Sequence, residues 1–274
     1  MPELSIPTPS LDASSLHRSI TTLFATAGGR FAVAAKNLDT GEQVLISADE
    51  IFPAASVIKV FVMGAVFGAR DEGLLALNEK LELKPEEVVG GSGILVEMEP
   101  GLRLSLIVLT RLMIVTSDNT ATNMLINRIG LPYFEEFLQR NAFKDIRLQR
   151  LLFDLDARKQ GRDNLITARE SALAVEMLHK SSLEPLSAAS CRECIEIMRR
   201  QQYRDKIPRM LPRNAKIANK TGGLRDASHD LALVEAPDGP TYTISILTAD
   251  FASEFEADLA ISRTSRAIWD YFTT

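Results

Sequence analysis

The amino-acid sequence predicts an α+β protein, in which a five-stranded antiparallel sheet is flanked by helices and carries an inserted all-helical lobe. Two observations lead to this fold class. Strand-like segments occur only near the two ends of the 274-residue chain, and helical patterns fill the region between them. The chain also lacks the regular strand–helix alternation of a parallel α/β sheet. We therefore expect a single unit over 1–274, with an α/β lobe from 1–55 and 204–274 and a helical lobe from 56–203.

The first 55 residues contain one predicted helix and two predicted strands. The helix should begin near Ser10 or Asp12, because apolar residues then recur at helical spacing, and a glycine pair ends it. The predicted strands are Arg30–Asn37 and Glu42–Ser47. The D-T-G turn signal between these two segments predicts an antiparallel hairpin.

Helical patterns dominate the middle of the chain, where loops containing Gly and Pro separate them. The predicted helices are Ser56–Glu72, Leu104–Thr116, Thr120–Arg128, Pro132–Asn141, Thr167–His179 and Ser187–Gln202. The final predicted segments are the strands Ala215–Thr221, Asp230–Glu235 and Thr241–Asp250 and the helix Glu254–Phe272. Two early strands and three late strands can pair into one antiparallel sheet, which the two terminal helices would cover.

Composition excludes several classes of protein. The formal net charge is −5 and the basic residues are scattered, which argues against binding to nucleic acid or a membrane surface. Two cysteines are too few for a disulfide scaffold, and three histidines lie far apart without metal-ligand spacing, so we expect no metal and no organic cofactor. No apolar run is long enough to span a bilayer, and the N-terminus does not resemble a signal peptide. The compartment and the oligomeric state stay open.

Ser56 and Lys59 are the first candidate catalytic pair. They are three residues apart at the start of a predicted helix and therefore share a face. A lysine packed in an apolar stretch has a lowered pKa and can take a proton from a neighbouring hydroxyl. Backbone N–H groups at the helix N-terminus can stabilise an oxyanion beside the serine. Taken alone, the same pair is also typical of a capping serine followed by a lysine that reaches solvent.

Two further motifs favour the catalytic interpretation. Ser117-Asp118-Asn119 lies between two predicted helices and alone would be a helix cap. Lys220-Thr221-Gly222 lies at the end of a predicted strand and alone would lead into a turn. The first two motifs are 61 residues apart and the last two are 103 residues apart. The ordered set S-x-x-K, S-D-N and K-T-G is the signature of class A β-lactamases and penicillin-binding proteins.

On these motifs the chain resembles the penicillin-recognising serine hydrolases, and among them the class A β-lactamases most closely. The resemblance covers most of the chain and includes the S-D-N-T-A-T-N run, in which Asn123 also matches the family pattern. It implies a β-lactamase/transpeptidase-like fold. It also implies an active site between the lobes, where Ser56, Ser117 and Lys220 converge.

The resemblance also implies roles for the individual residues of the first two motifs. Ser56 is the acylated nucleophile, and Lys59 takes its proton. Ser117 passes a proton to the leaving nitrogen. Asp118 holds its own loop, and Asn119 binds the amide of the acyl side chain.

For the third motif, the resemblance implies substrate binding. Lys220 and Thr221 hold the substrate carboxylate, and Gly222 lets the strand edge approach the ligand. The backbone N–H of Gly223, together with that of Ser56, forms the oxyanion hole.

The chain departs from the family in the loop that normally supplies the deacylating glutamate. An E-x-x-L-N motif is expected between residues 143 and 167, yet no glutamate occurs between Glu136 and Glu170. Asp154 and Asp156 are the carboxylates in the middle of this stretch, and each is one methylene shorter than a glutamate. Asp154 is therefore the candidate base for deacylation, with a solvated loop position as the alternative for both residues.

A second departure concerns the arginine that the family tends to place on the strand after K-T-G. His229 occupies that position, with Arg225 nearby. A protonated His229 could help to bind the substrate carboxylate, and a structural, hydrogen-bonded histidine is the alternative.

The sequence therefore predicts a serine β-lactamase of the class A type, which hydrolyses small-molecule β-lactams through an acyl-enzyme and deacylates slowly. The missing E-x-x-L-N motif keeps a second reading open, a D-alanyl-D-alanine peptidase or esterase-like serine hydrolase on the same site. A third is a penicillin-binding sensor that acylates once without turnover. The C-x-x-C of Cys191 and Cys194 falls inside a helical stretch, so we predict no redox role for it.

Overall fold

The structure is a computed structural model that describes residues 12–274. The helices are α1 (Ala13–Ala27), α2 (Ile58–Asp71), α3 (Leu106–Val115), α4 (Asn119–Ile129), α5 (Leu131–Arg140), α6 (Leu155–Lys159), α7 (Ala168–His179), α8 (Ala188–Met198) and α9 (Glu254–Thr273). The strands are β1 (Arg30–Asn37), β2 (Gln43–Ile46), β3 (Phe52–Pro53), β4 (Lys80–Glu82), β5 (Arg103–Ser105), β6 (Leu165–Ile166), β7 (Lys216–Leu224), β8 (Ala227–Glu235) and β9 (Thr241–Ala249). The Asp12 carboxylate caps α1 by accepting the Ser15 N–H at 2.6 Å, whereas the alternative start at Ser10 lies outside the described residues.

Five strands form one antiparallel sheet in the order β2-β1-β9-β8-β7, which confirms the predicted sheet. The N-terminal hairpin joins the C-terminal strands through β1 and β9, where Val33 lies opposite Ile246. Strands β8 and β9 are buried along almost their whole length, as expected for the centre of a sheet that is covered on both faces.

Different helices cover the two faces of the sheet. On one face α1 and α9 bury a cluster that includes Leu16, Ile20 and Ile261. On the other face α7 packs against β1, β8 and β9, and a larger apolar cluster continues into the helices from the middle of the chain. Every residue of α2 from Ile58 to Ala69 is buried, so this helix is central and encloses the one charged side chain of that stretch, Lys59.

The last hairpin is longer than the sequence predicts. We expected strands that end at Thr221 and begin again at Asp230, but β7 continues to Leu224 and β8 begins at Ala227. The glycines of the K-T-G-G run signalled a turn, whereas both adopt extended backbone and pair with β8, Gly222 opposite His229. The third motif therefore lies within an edge strand.

Short ribbons that the sequence did not predict connect the irregular segments. β3 pairs with β6, which ties the chain just before Ser56 to the end of the 143–167 loop. β4 pairs with β5, so the helix expected from Leu104 begins at Leu106 instead. Within residues 12–274, none of the helices is long and apolar enough to cross a membrane. The division into an α/β lobe and a helical lobe at the stated boundaries stays a prediction.

Candidate active site

Ser56 lies in a short 3-10 turn over Ala55–Val57 that leads directly into α2. Ala55 has a positive φ of 44°. Strained backbone of this kind is usually found at functional positions. Strand β7 lies close against this turn. A Cβ added at Gly222 would be only 3.1 Å from the Ala55 Cβ and 3.3 Å from the Ser56 nitrogen. A side chain at position 222 would push these neighbours apart by a few tenths of an ångström, so glycine favours the close approach. A Cβ at Gly223 would meet no atom within 4 Å, so this residue borders open space.

Lys59 is fully buried one turn after Ser56, and its amine is held by the second motif. Its Nζ donates to the Ser117 carbonyl oxygen at 2.6 Å and to Asn119 Oδ1 at 2.8 Å, and it lies 3.1 Å from Ser117 Oγ. Burial lowers the pKa of Lys59 well below its ordinary value, and the positive charge of Lys220 lowers it further. The amine is thereby disposed to accept a proton.

The Ser117 hydroxyl joins two lysines. It lies 3.1 Å from Lys59 Nζ and 3.0 Å from Lys220 Nζ, and Ser117 itself has a positive φ of 56°. Lys220 is fully buried and also donates to the Thr221 carbonyl at 2.7 Å. Burial lowers the pKa of Lys220 to about 7, against the opposing effect of the Asp230 carboxylate. A continuous hydrogen-bonded path therefore runs from Lys59 through Ser117 to Lys220.

Asp118 and Asn119 organise the loop beside this path. Asp118 caps α4 through the Ala121 N–H at 2.8 Å, and its other oxygen accepts the N–H groups of Ile94 and Leu95 at 2.7 and 2.9 Å. Asn119 Nδ2 donates to the Gly90 carbonyl at 2.9 Å. Asp118 therefore holds a neighbouring loop as well as its own.

Two cavities meet at Ser56. The first, the loop-side cavity, has a volume of about 250 Å³ and includes Asn119, Leu152 and Phe153 in its lining. The second, the strand-side cavity, has a volume of about 240 Å³ and is lined by Ser117 and Thr221 together with other residues of β7. Ser56 and Gly223 line both cavities, which gives a ligand cleft with the serine at its centre.

Lys206 is a buried lysine that lines the strand-side cavity, and the sequence analysis missed it. Its Nζ donates to the Gly222 carbonyl at 3.1 Å and lies 3.5 Å from a carboxylate oxygen of Asp258 on α9. Its sequence neighbours resemble those of any surface lysine. Only the long-range contacts with β7 and α9 bring it into the cleft.

Leu152 is the second residue that the sequence analysis missed. The Asn123 side chain binds the Leu152 backbone twice, through the N–H at 2.8 Å and the carbonyl at 3.0 Å. This double hydrogen bond fixes Leu152 at the wall of the loop-side cavity, which Ser56 also lines. Asn123 belongs to the S-D-N-T-A-T-N run, where its side-chain amide has no assigned role. This amide is the sequence signal that could have led to the loop position of Leu152.

The structure does not bring Asp154 into the cleft. Asp154 is exposed and caps α6, where its carboxylate accepts the Ala157 N–H at 2.9 Å. Asp156 is also exposed and pairs with Lys159 at 3.1 Å. Neither aspartate lines the two cavities, because the helix cap turns Asp154 outward and presents Leu152 and Phe153 instead. The solvated alternative fits both residues.

His229 does not line either cavity. It is 0% exposed, and its Nδ1 accepts the Thr248 N–H at 3.2 Å, so Nε2 carries the proton that is donated to the Pro53 carbonyl at 2.7 Å. Burial lowers the pKa of His229 to about 4, which keeps the ring neutral. Both ring nitrogens are occupied by backbone groups, an arrangement that fits the structural alternative.

Comparisons with known proteins agree with the fold and the motifs. The model of a family described as the β-lactamase enzyme family matches residues 15–272. β-Lactamase VEB-1 of Pseudomonas aeruginosa is 26% identical over 273 residues, which cover 94% of this chain and 90% of VEB-1. The crystal structure of a β-lactamase from Sphaerobacter thermophilus is 28% identical with a TM-score of 0.86, covering 94% of this chain and 96% of that one.

A mutant of PBP-A, determined as an acyl-enzyme complex with penicillin G, is similar at 27% identity and a TM-score of 0.86, covering 97% of this chain and 98% of that one. The matched segment includes every residue of the three motifs. The chain therefore belongs to the β-lactamase enzyme family and is a serine hydrolase of the β-lactamase type.

Proposed function

We propose that the chain is a serine β-lactamase of the class A type, which forms an acyl-enzyme on Ser56 and hydrolyses it slowly. One observation carries the proposal. Ser56 lies where the two cavities meet, beside the buried path of Lys59, Ser117 and Lys220. This arrangement supplies a nucleophile, a base and a proton route in one cleft.

Acylation follows from the basicity of Lys59. The Ser56 oxygen attacks the β-lactam carbonyl carbon while Lys59 accepts the hydroxyl proton. Lys59 Nζ contacts Ser117 and Asn119, so its contact with the Ser56 hydroxyl would tighten only when substrate is bound. The ring C–N bond then breaks, and the proton passes through Ser117 to the leaving nitrogen. The N–H groups of Ser56 and Gly223 face the developing oxyanion.

The strand-side cavity would hold the substrate carboxylate. Thr221 and Lys206 line it together with the carboxylates of Asp205, Glu254 and Asp258. Lys220 of the third motif contacts Ser117 of the lining at 3.0 Å. Charge-assisted hydrogen bonds of this kind contribute roughly 1.5–3 kcal/mol each. Lys206, rather than His229, is therefore the additional residue that would bind the substrate carboxylate.

The loop-side cavity accounts for the slow deacylation. A water that attacks the acyl-enzyme ester needs a base within hydrogen-bond reach. Leu152 lines the cavity at the loop position that Asn123 fixes, and none of the described residues in the lining is an aspartate or glutamate. On its loop side, the ester on Ser56 is consequently left without a carboxylate base.

The same observation favours a second candidate function, a D-alanyl-D-alanine peptidase. Such an enzyme passes through the same acyl intermediate without needing fast hydrolysis of a penicilloyl ester. Comparing turnover of a chromogenic cephalosporin with release of D-alanine from a D-Ala-D-Ala peptide separates the two functions.

The direct test is intact mass spectrometry after incubation with benzylpenicillin. The wild-type chain should gain the mass of one penicillin, and peptide mapping should locate it on Ser56. Ser56→Ala should gain no such mass, and Lys59→Ala should acylate at least a hundredfold more slowly, since general bases contribute about 10²–10⁴-fold. Labelling of Ser56→Ala at the cleft would contradict the proposal.

A further inference from the structure

We propose that a third cavity, between the sheet and α7, binds a small carboxylic acid with a compact apolar body of the size of benzoate. This α7 cavity has a volume of about 190 Å³ and is lined by residues of β1, β2, β9 and α7. None of these residues lines the loop-side or the strand-side cavity, so the site is separate from the cleft at Ser56 and does not depend on the proposed function. A protein cavity of about 150 Å³ can hold benzene, so the volume suits one ring with a small polar head.

One row of the sheet supplies hydrogen-bond donors to the α7 cavity. Lys36 on β1 is paired with Gln43 on β2 and with Thr243 on β9, so the three side chains lie side by side on one face of the sheet. All three residues line the cavity, and they carry an ammonium, an amide and a hydroxyl group. The two oxygens of a ligand carboxylate can therefore accept hydrogen bonds from neighbouring members of this row.

Thr243 is the member of the row that lacks a partner. It is 0% exposed, yet its Oγ1 forms no hydrogen bond within residues 12–274. A buried hydroxyl without a partner is costly, and an acceptor oxygen in the cavity would remove that cost. Ser245, two residues further along β9, also has an unpaired buried hydroxyl but does not line the cavity. Thr243 is thus the buried group that a ligand in the cavity would satisfy.

The charged residues at the α7 cavity favour an anion. The Glu176 carboxylate binds both Lys36 and Lys180, at 2.7 and 2.8 Å, so two ammonium groups share one negative charge. Arg169 also lines the cavity and is held by Asp49 at 2.8 Å. The cluster of two lysines and one glutamate therefore keeps one positive charge, which a ligand carboxylate would neutralise.

The adjacent row of the sheet and the facing side of α7 are apolar. Ala34 on β1 is paired with Leu45 on β2, and Ala172 and Leu173 line the cavity from α7. Leu45 and Leu173 are 37% and 39% exposed. Exposed apolar side chains of this size beside a cavity commonly mark a ligand surface. A ring would cover them while its carboxylate meets the donor row.

Benzoate and benzyl alcohol test this assignment, because the two probes share the ring and differ in charge. The whole chain is labelled with ¹³C at the alanine methyl groups, and each probe is titrated while the NMR spectrum is recorded. The Ala34 and Ala172 methyl resonances should shift and saturate with benzoate, with a dissociation constant on the order of 1 mM. Benzyl alcohol should bind about fivefold more weakly, since it offers no charged acceptor. Raising the ionic strength should weaken benzoate binding.

Thr243→Val keeps the shape of the side chain and removes the hydroxyl. It should weaken benzoate binding about tenfold and leave the fold intact, because that hydroxyl has no partner in the protein. Ser245→Ala is the matched control and should bind benzoate like the wild type. An equal loss in both variants would overturn the inference, as would a folded wild type without saturable shifts at Ala34 and Ala172. Saturable shifts at Ala55 alone, beside Ser56, would place benzoate in the cleft and also overturn it.

Discussion

Replacement of Leu152 by glutamate should convert a slowly deacylating enzyme into a faster one. Leu152 lines the loop-side cavity together with Ser56, and its backbone N–H and carbonyl are both held by Asn123. The substitution therefore adds a carboxylate without requiring the loop to move.

The substitution should change both the rate of deacylation and the stability of the fold. A positioned general base contributes about 10²–10⁴-fold, so deacylation should accelerate by at least a hundredfold. The cost to stability is small, because Leu152 is only half-buried and full burial of a leucine contributes about 1.5–3 kcal/mol. The variant should therefore lose about 1 kcal/mol and remain folded.

The assay follows the decay of the penicilloyl adduct by intact mass after excess substrate is removed. Leu152→Gln is the matched control, since it has the same length and polarity but lacks a basic carboxylate. Equal decay rates in Leu152→Glu and Leu152→Gln, with both variants folded, would refute the assignment of this loop position.

Three further predictions concern the remaining site residues. The charged form of Lys220 is lost as the pH rises through about 7, so acylation should decline above pH 7 in the wild type and stay level in Lys220→Arg, as a pH profile of the acylation constant would reveal. The pKa of about 4 for folded His229, against 6.5 when exposed, means that the unfolded chain binds more protons between pH 6.5 and 4. The free energy of unfolding should therefore fall by about 3 kcal/mol as the pH drops across this window, and urea unfolding of His229→Gln should lack that component. Asp154→Asn should leave deacylation and stability unchanged, because asparagine also caps a helix, and a slower decay of the adduct would reinstate Asp154 as the base.

The sequence was sufficient for the parts of the fold that depend on local patterns. Apolar periodicity identified the strands of the five-stranded sheet and the buried stretch that encloses Lys59. The family resemblance carried by the three motifs implied that Ser117 and Lys220 share one site, and the two side chains are 3.0 Å apart in the structure.

The residues that the sequence did not reveal depend on contacts between distant segments. Lys206 enters the cleft because it contacts Gly222 on β7 and Asp258 on α9. His229 was placed by counting along the strand, but its neutral state follows from backbone groups of two other segments. Such roles depend on strand register and burial, and no short sequence pattern specifies either one.

The central claim is that Ser56 forms an acyl-enzyme that accumulates because deacylation lacks a carboxylate base. Its most direct test is a time course of intact mass during turnover of benzylpenicillin, with the adduct mapped to its residue. We predict that the singly acylated chain becomes the dominant species while substrate remains, and that it returns slowly to the free mass afterwards. Rapid substrate consumption with the chain remaining at its free mass, or an adduct on a residue other than Ser56, would contradict the account.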